Sequence, residues 1–256
     1  MLNATITQRI EITPELVVLR VKPDAELSEF HPGQYVALGL YSDAKRPEHF
    51  PPEREPLAPG KLIKRAYSIG SSPSVREYLE FYIAIVPDGA LTSRLALAKE
   101  GDRVFLAPKI TGTFTLHDVP ADANLVLVST GTGIAPFMSM LRTPSTWTAG
   151  RKISVIHGVR YPKDLAYRDE LSQLSSEGTL AYYPIVSRED PSWKGERGHL
   201  QKLFERSVVK LNPATDHVFL CGNPAMIDEM EKLLLSQGYV VHSKKTPGNL
   251  HLEKYW

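Results

Sequence analysis

The sequence is short of several things, and each shortage removes a class of function. It holds one cysteine, Cys221. A lone thiol cannot close an intramolecular disulfide, complete a four-cysteine zinc site or hold a cysteine-ligated iron–sulfur cluster within this chain. The histidines lack metal-ligand spacing, so no metal is expected. Net charge is scarce too, with 30 Lys and Arg against 29 Asp and Glu spread along the chain. That balance argues against nucleic acid and against a membrane surface as partners. No apolar run approaches membrane-spanning length, and the N-terminus lacks the basic-then-apolar layout of a signal peptide. Internal repeats are absent. The expectation is a soluble, cytoplasmic, monomeric protein.

What is present falls into two rhythms. Up to about Leu116 the segments Ala4–Ile12, Leu16–Lys22, Tyr35–Leu40, Ala66–Ile69, Leu79–Val86 and Arg103–Leu106 read as short strands separated by Pro, Gly and Asp turns. Strands this short and this regularly punctuated predict an antiparallel β-barrel. One helix, Leu91–Lys99, interrupts them, and Gly101 caps it. Tyr41–Lys64, rich in proline and charge, reads as a long exposed loop: a tolerated insertion or a partner contact. From Phe114 on, strands at Leu125–Ser129, Ile153–His157, Ala181–Val186 and His217–Cys221 alternate with helices at Pro136–Leu141, Asp169–Ser176, Leu200–Arg206 and Ala225–Gln237. Alternation of this kind predicts a doubly wound α/β parallel sheet. The boundary falls near Asp118–Ala121, giving domains 1–118 and 119–256.

The stretch NLVLVSTGTGIAPF, residues 124–137, carries the first chemistry. A buried strand runs into Gly131-Thr132-Gly133 and then a helix start, so free N–H groups and a close-approaching backbone form an anion site. Pro136 stands where the dinucleotide fingerprint G-x-G-x-x-G has its third glycine, and it suits the first helical turn. Ligands of such sheets bind beyond the carboxyl ends of the strands. Arg160 follows the second strand, Ser187-Arg188 the third and Cys221-Gly222-Asn223-Pro224 the fourth. Arg160 stands where an NAD site usually places an acidic residue, and with Arg188 and Arg197 it favours a ribose 2′-phosphate, hence NADP over NAD. In the first half, Arg65-Ala66-Tyr67-Ser68 offers a cation for a pyrophosphate, a ring to stack on a planar group and a hydroxyl for a ring nitrogen. Ala90-Leu91-Thr92-Ser93 opens the barrel's helix as a second anion site.

The R-x-Y-S strand, the helix-opening Gly-x-Leu-Thr-Ser, G-T-G-I-A-P-F and C-G-N-P, in this order, resemble the ferredoxin–NADP⁺ reductase family. The ending Pro247 to Trp256 is similar to that of bacterial ferredoxin/flavodoxin–NADP⁺ reductases that finish in Tyr-Trp. The resemblance implies FAD in the barrel and NADP(H) in the α/β domain. Arg65 would then bind the FAD pyrophosphate, Ala66 would also contact FAD, Tyr67 would stack on the isoalloxazine and Ser68 would approach N5. Tyr82, Ala90, Leu91 and Thr92 would contact the ribityl-phosphate and AMP portions, and Thr130 the flavin. Gly131, Thr132 and Gly133 would cradle the NADP pyrophosphate, while Arg160, Ser187, Arg188 and Arg197 bind the 2′-phosphate end. Gly222, Asn223, Pro224 and Cys221 would line the nicotinamide path. Tyr255 or Trp256 would cover the flavin, and Glu253 is either a proton source there or a solvated carboxylate. Ser68, Cys221, Glu253 and Tyr255 are thus the catalytic candidates.

The implied activity passes a hydride between NADP(H) and flavin N5, and single electrons to or from ferredoxin or flavodoxin. Lys61, Lys64, Lys244 and Lys245 offer a basic rim for transient, electrostatic docking, or serve solubility alone. Two other functions fit the same motifs: an NAD(P)H-dependent reductase of a hydroxylase, free flavin or ferric chelate, and a non-catalytic nucleotide-binding module.

Overall fold

A computed structural model of the chain describes residues 1–54 and 57–254. Two compact units form, one of Met1–Thr115 with Ala135–Thr143, the other of Leu116–Ile134 with the chain from Pro144 onward. In the first unit β1 (Ala4–Thr13), β2 (Leu16–Pro23), β3 (Tyr35–Tyr41), β4 (Leu62–Ser68), β5 (Leu79–Ala84) and β6 (Arg103–Leu106) make one antiparallel sheet, ordered β4-β3-β6-β1-β2-β5. Alternation explains it. Ala4 and Ile6, Val17, Leu19 and Val21, and Leu79, Phe81 and Ile83 turn every second side chain into a core that all six strands share. A sheet whose strands all face one core must roll around it. Its two edge strands, β4 and β5, are consecutive in the chain, and Gly70 N–H donates to the Glu80 carbonyl at 2.8 Å just past β4.

Three expectations for this unit need correction. The helix expected over Leu91–Lys99 is only α1, Thr92–Leu95. Beyond it Leu97 and Ala98 donate to Arg94 and Leu95, three residues back, so the chain tightens into turns. The Tyr41–Lys64 loop is shorter, since β4 starts at Leu62, and it is not a loose insertion. Buried Arg94 pairs with Glu53 and donates to the Ser42 carbonyl at 2.6 Å, while Arg54 pairs with Asp88 at 2.7 Å. Ala44, Phe50 and Leu57 pack against the core. Finally, α2 (Ala135–Leu141), expected in the second domain, clusters with the first unit. Ser139 Oγ donates to the Ser71 carbonyl at 2.7 Å, and Arg142 reaches the Gly70 carbonyl at 3.0 Å and Glu80 at 2.6 Å. Burial alone would raise the Glu80 carboxyl, but Arg142 and Arg20 outweigh it and hold it below its ordinary range.

The second unit is a parallel sheet of β7 (Asn124–Thr130), β8 (Ile153–Val159), β9 (Ala181–Val186), β10 (Glu196–Arg197), β11 (Asp216–Gly222) and β12 (Leu250–Lys254), ordered β10-β9-β8-β7-β11-β12. The continuous apolar run of β7 is buried on both faces, as a central parallel strand requires. One face packs on α4 (Gln201–Glu205) and α5 (Pro224–Ser236), whose stripe Met226, Ile227, Met230 and Leu234 meets Val126, Ile156 and Val218. α3 (Arg168–Ser176) buries Leu171. The sequence reading lacks β10 and β12. Two residues carry no pattern, and β12 hides a histidine among its inward positions. No helix among the described residues is long and apolar enough to cross a membrane. None of their His, Cys, Asp and Glu side chains form a group of three or more suited to a metal ion.

Candidate functional site

Topology locates the crevice. From β7 the chain winds outward through β8, β9 and β10, then returns to β11 on the other side of β7 and on to β12. Between the carboxyl ends of β7 and β11 the connections diverge, which is where open α/β sheets bind ligands. Two loops meet there. Residues Gly131–Ile134 form a 3₁₀ turn, and Gly222-Asn223 leads into α5, where Asn223 caps the helix by accepting from Ala225 N–H at 2.8 Å and Pro224 follows. The loops interlock. A Cβ on Gly133 would lie 2.4 Å from the Cys221 carbonyl oxygen, and one on Gly222 (φ +131°) 2.4 Å from Thr130 Oγ1. That hydroxyl accepts the Asn223 N–H at 2.9 Å.

The glycines therefore divide the work differently from a simple cradle. Gly133 lets two backbones touch. Gly131 adopts φ +52° with no described atom within 4 Å of its Cβ position, so the turn is open there. Thr132 beside it is partly exposed.

His157 holds this turn from below, and the sequence reading missed its role. It expects the second strand to end at His157, whereas β8 continues to Val159 and encloses the ring, which is 0% exposed. Nε2 lies 3.0 Å from the Gly131 carbonyl oxygen. Burial pushes the imidazole pKa down to about 4 against the opposing pull of that contact. The ring is neutral near pH 7, and since a carbonyl only accepts, the proton sits on Nε2. Nδ1 has no hydrogen-bond partner among the described residues. The available signal was a histidine placed next to Gly158 in a strand whose other residues are Ile, Val and one Ser.

The three predicted arginines gather at neighbouring strand ends. Arg160 follows β8, Arg188 follows β9, and Arg197 closes β10, its residue paired with Val186. Arg188 N–H donates to the Arg160 carbonyl at 2.9 Å, while Ser187 donates to Val159 through both its N–H and Oγ. Arg160 is mostly exposed with only a 3.9 Å pairing to Asp164, and the Arg188 side chain has no carboxylate partner among the described residues. Arg197 is partly committed: it donates to the Asp190 and Trp193 carbonyls at 2.8 and 2.6 Å, fastening that turn.

At the other side of the crevice Cys221 pairs in register with Glu253 of β12, Sγ to Oε1 being 4.0 Å. The thiol is fully buried, so its environment is that of a packed residue. Tyr255 and Trp256 lie outside the described residues.

In the first unit, β4 carries Arg65 to Ser68 on a sheet edge in unbroken register with β3. Arg65 and Tyr67 therefore share one face, Ala66 and Ser68 the other. Arg65 has no carboxylate partner among the described residues and donates only to the Lys64 carbonyl at 2.9 Å. The partly buried Tyr67 ring meets Phe81 edge-on at 6.4 Å, and burial raises its hydroxyl pKa. Ser68 and Tyr82 are buried. The Ala90–Thr92 segment differs from its expected form. A four-residue helix has little dipole, Leu91 is core, and Thr92 Oγ1 donates to the Val86 carbonyl at 3.0 Å while accepting from its N–H.

A rolled antiparallel sheet in one unit and a parallel sheet with a switch-point crevice in the other are the two parts of a nucleotide-binding fold of the oxidoreductase type. The family pattern described as an oxidoreductase NAD-binding domain matches residues 127–232. A ferredoxin–NADP reductase of Pseudomonas aeruginosa is 36% identical over 239 residues, covering 88% of this chain and 86% of that protein. The flavodoxin/ferredoxin–NADP reductase of Escherichia coli K12 is 33% identical over 91% of this chain and 90% of its own. Among solved structures, a ferredoxin NADP⁺ reductase from Neisseria gonorrhoeae with bound FAD and NADP superposes with a TM-score of 0.84 at 28% identity, covering 98% of this chain and 97% of that one. The chain belongs to the ferredoxin–NADP reductase family.

Proposed function

We propose that the protein is an FAD-dependent reductase that exchanges a hydride between NADP(H) and flavin N5, and single electrons with ferredoxin or flavodoxin. The observation that carries the reading is the row of three arginines at adjacent strand ends, beside a glycine turn with open space at Gly131. Two of these guanidinium groups lack a close carboxylate, which suits a dianionic 2′-phosphate. Relatives named for NADP and for ferredoxin or flavodoxin support it.

In this reading the first unit holds FAD and the second NADP(H). Arg65 neutralises the FAD pyrophosphate, Tyr67 stacks on the ring system, Ser68 approaches N5, and Tyr82 with residues 90–92 lines the remainder. Arg160, Ser187, Arg188 and Arg197 bind the 2′-phosphate, and the 131–133 turn takes the pyrophosphate. Cys221, Gly222 and Asn223 shape the nicotinamide path, Glu253 holds a proton beside it, and Tyr255 or Trp256 covers the flavin. Bound FAD supplies the exchange between two-electron and one-electron chemistry that no side chain offers. The carrier docks transiently by complementary charge on a monomeric, cytoplasmic reductase.

Purified protein is expected to be yellow and to reduce ferredoxin or flavodoxin from NADPH. Replacing Arg160 and Arg188 together by Ala should lower kcat/KM for NADPH at least roughly tenfold, the size of one charged hydrogen bond, and leave NADH unchanged. A wild-type preference for NADH would instead favour a hydroxylase-type reductase, and a colourless protein unable to take up FAD would leave only a binding module.

A further inference from the structure

The Gly131 carbonyl is turned inward onto a buried ring, and this has a directional consequence. In a trans peptide the C=O and the following N–H point in opposite directions. With the Gly131 oxygen held 3.0 Å from His157 Nε2, the N–H of Thr132 is aimed away from that buried ring, and a Cβ placed on Gly131 would meet no described atom within 4 Å. Gly131 at φ +52° lies in the region where glycine moves freely, so nothing in its own torsions fixes that peptide. The turn is clamped on either side by Asn223 on Thr130 and by Cys221 against Gly133. Among the described residues, His157 is the side chain that reaches the peptide between them, which also belongs to the 3₁₀ turn.

We propose that His157 is a positioning residue: its Nε2–H fixes the Gly131–Thr132 peptide so that the Thr132 N–H meets the pyrophosphate of the dinucleotide. This rests on the functional reading above and deepens it. The ring suits the task because it is fully enclosed by β8 and the turn, and a neutral imidazole donates without bringing a buried charge. It touches no substrate; it acts through the backbone it holds.

Binding of NADP⁺, of NAD⁺ and of adenosine 2′-monophosphate to the FAD-loaded protein, measured by calorimetry, separates the possibilities. In His157→Leu, NADP⁺ and NAD⁺ should both weaken by the same factor, roughly three- to tenfold, the size of one misplaced hydrogen bond. Adenosine 2′-monophosphate has no pyrophosphate, and its affinity should not change. His157→Gln, whose amide reaches about as far as Nε2, should restore the dinucleotides, and His157→Asn, too short, should not. The Gln–Asn comparison stands even if the Leu variant fails to fold. Equal binding by the Gln and Asn variants, or equal loss of adenosine 2′-monophosphate, would overturn the role of His157 while leaving the functional reading intact. Wild-type protein that binds no NADP⁺ at all would overturn both.

Discussion

At the scale of single residues, the two glycines of the turn answer to different constraints, and substitution should tell them apart. Gly131→Ala adds a methyl group to open space at φ +52°, a left-handed backbone that costs an L-residue about 1 to 2 kcal/mol. Gly133→Ala drives a methyl to 2.4 Å from the Cys221 carbonyl, a clash with backbone that cannot rotate away, and should cost roughly 3 kcal/mol or more. Urea unfolding should therefore rank Gly133→Ala well below Gly131→Ala in stability. NADP⁺ affinity should fall in the folded Gly131→Ala protein, because its new methyl occupies the space left for phosphate. Equal stability losses would contradict this division. The residue types of this site were legible in the sequence, since a glycine turn and strand-end arginines announce anion chemistry by composition alone. Which glycine packs and which one opens was not, because that depends on how close β11 comes to β7. His157 was invisible as a functional group for the same reason: its partner is a backbone atom of another strand's loop.

At the scale of elements, α2 shows the limit of reading a chain by alternation. Strand, turn and helix follow each other in sequence as one βα unit, yet α2 is fastened to the antiparallel unit through Arg142, Ser139 and Thr143. The decisive partner is Glu80, buried on β5 between Arg20 at 3.0 Å and Arg142 at 2.6 Å. Nothing local in either segment reveals a pairing between positions so far apart, whereas the strands and most helices were readable from their periods. The tie makes a prediction. Arg142→Leu leaves a buried carboxylate short of one of its cations and should destabilise the protein by about 3 kcal/mol. Glu80→Gln leaves two arginines that reach solvent, costing less, and the double variant should recover part of the Arg142→Leu loss. A thermal-unfolding cycle with strictly additive losses would show that the pair does not hold α2. The same reasoning applies to the proline-rich chain between β3 and β4, where Arg94 and Arg54 form ion pairs beside the apolar contacts of Phe50 and Leu57.

At the scale of the whole molecule, the buried histidines set how stability depends on pH. His157 is held neutral by burial, its pKa pushed down to about 4. His251 stacks on Phe219 at 4.1 Å and faces His217 and His242, the latter 3.5 Å from Asp118. Burial first, then its two histidine neighbours, lower its pKa to about 3. Unfolded, both rings titrate at about 6.5, so below that pH the unfolded chain binds protons that the folded chain refuses. The sign follows: their contribution is complete above pH 6.5 and is lost as pH falls from 6.5 toward 4 for His157 and toward 3 for His251. Within that window each ring should steepen the loss by close to 1.4 kcal/mol per pH unit, roughly 3 kcal/mol in all for His157 and roughly 5 for His251. Glu80 adds its own loss only from the ordinary carboxylate range downward, so the histidines dominate between pH 6.5 and 5. Trp147 and Trp193 lie in the unit that holds both histidines, and their emission follows that unit. Urea midpoints by emission should drop steadily from pH 7 to 5 in the wild type. His251→Phe keeps a ring against Phe219 but has no proton to gain, and it should flatten that slope without abolishing it, since His157 and His217 remain; a slope left unchanged would mean His251 takes up its proton in the folded state.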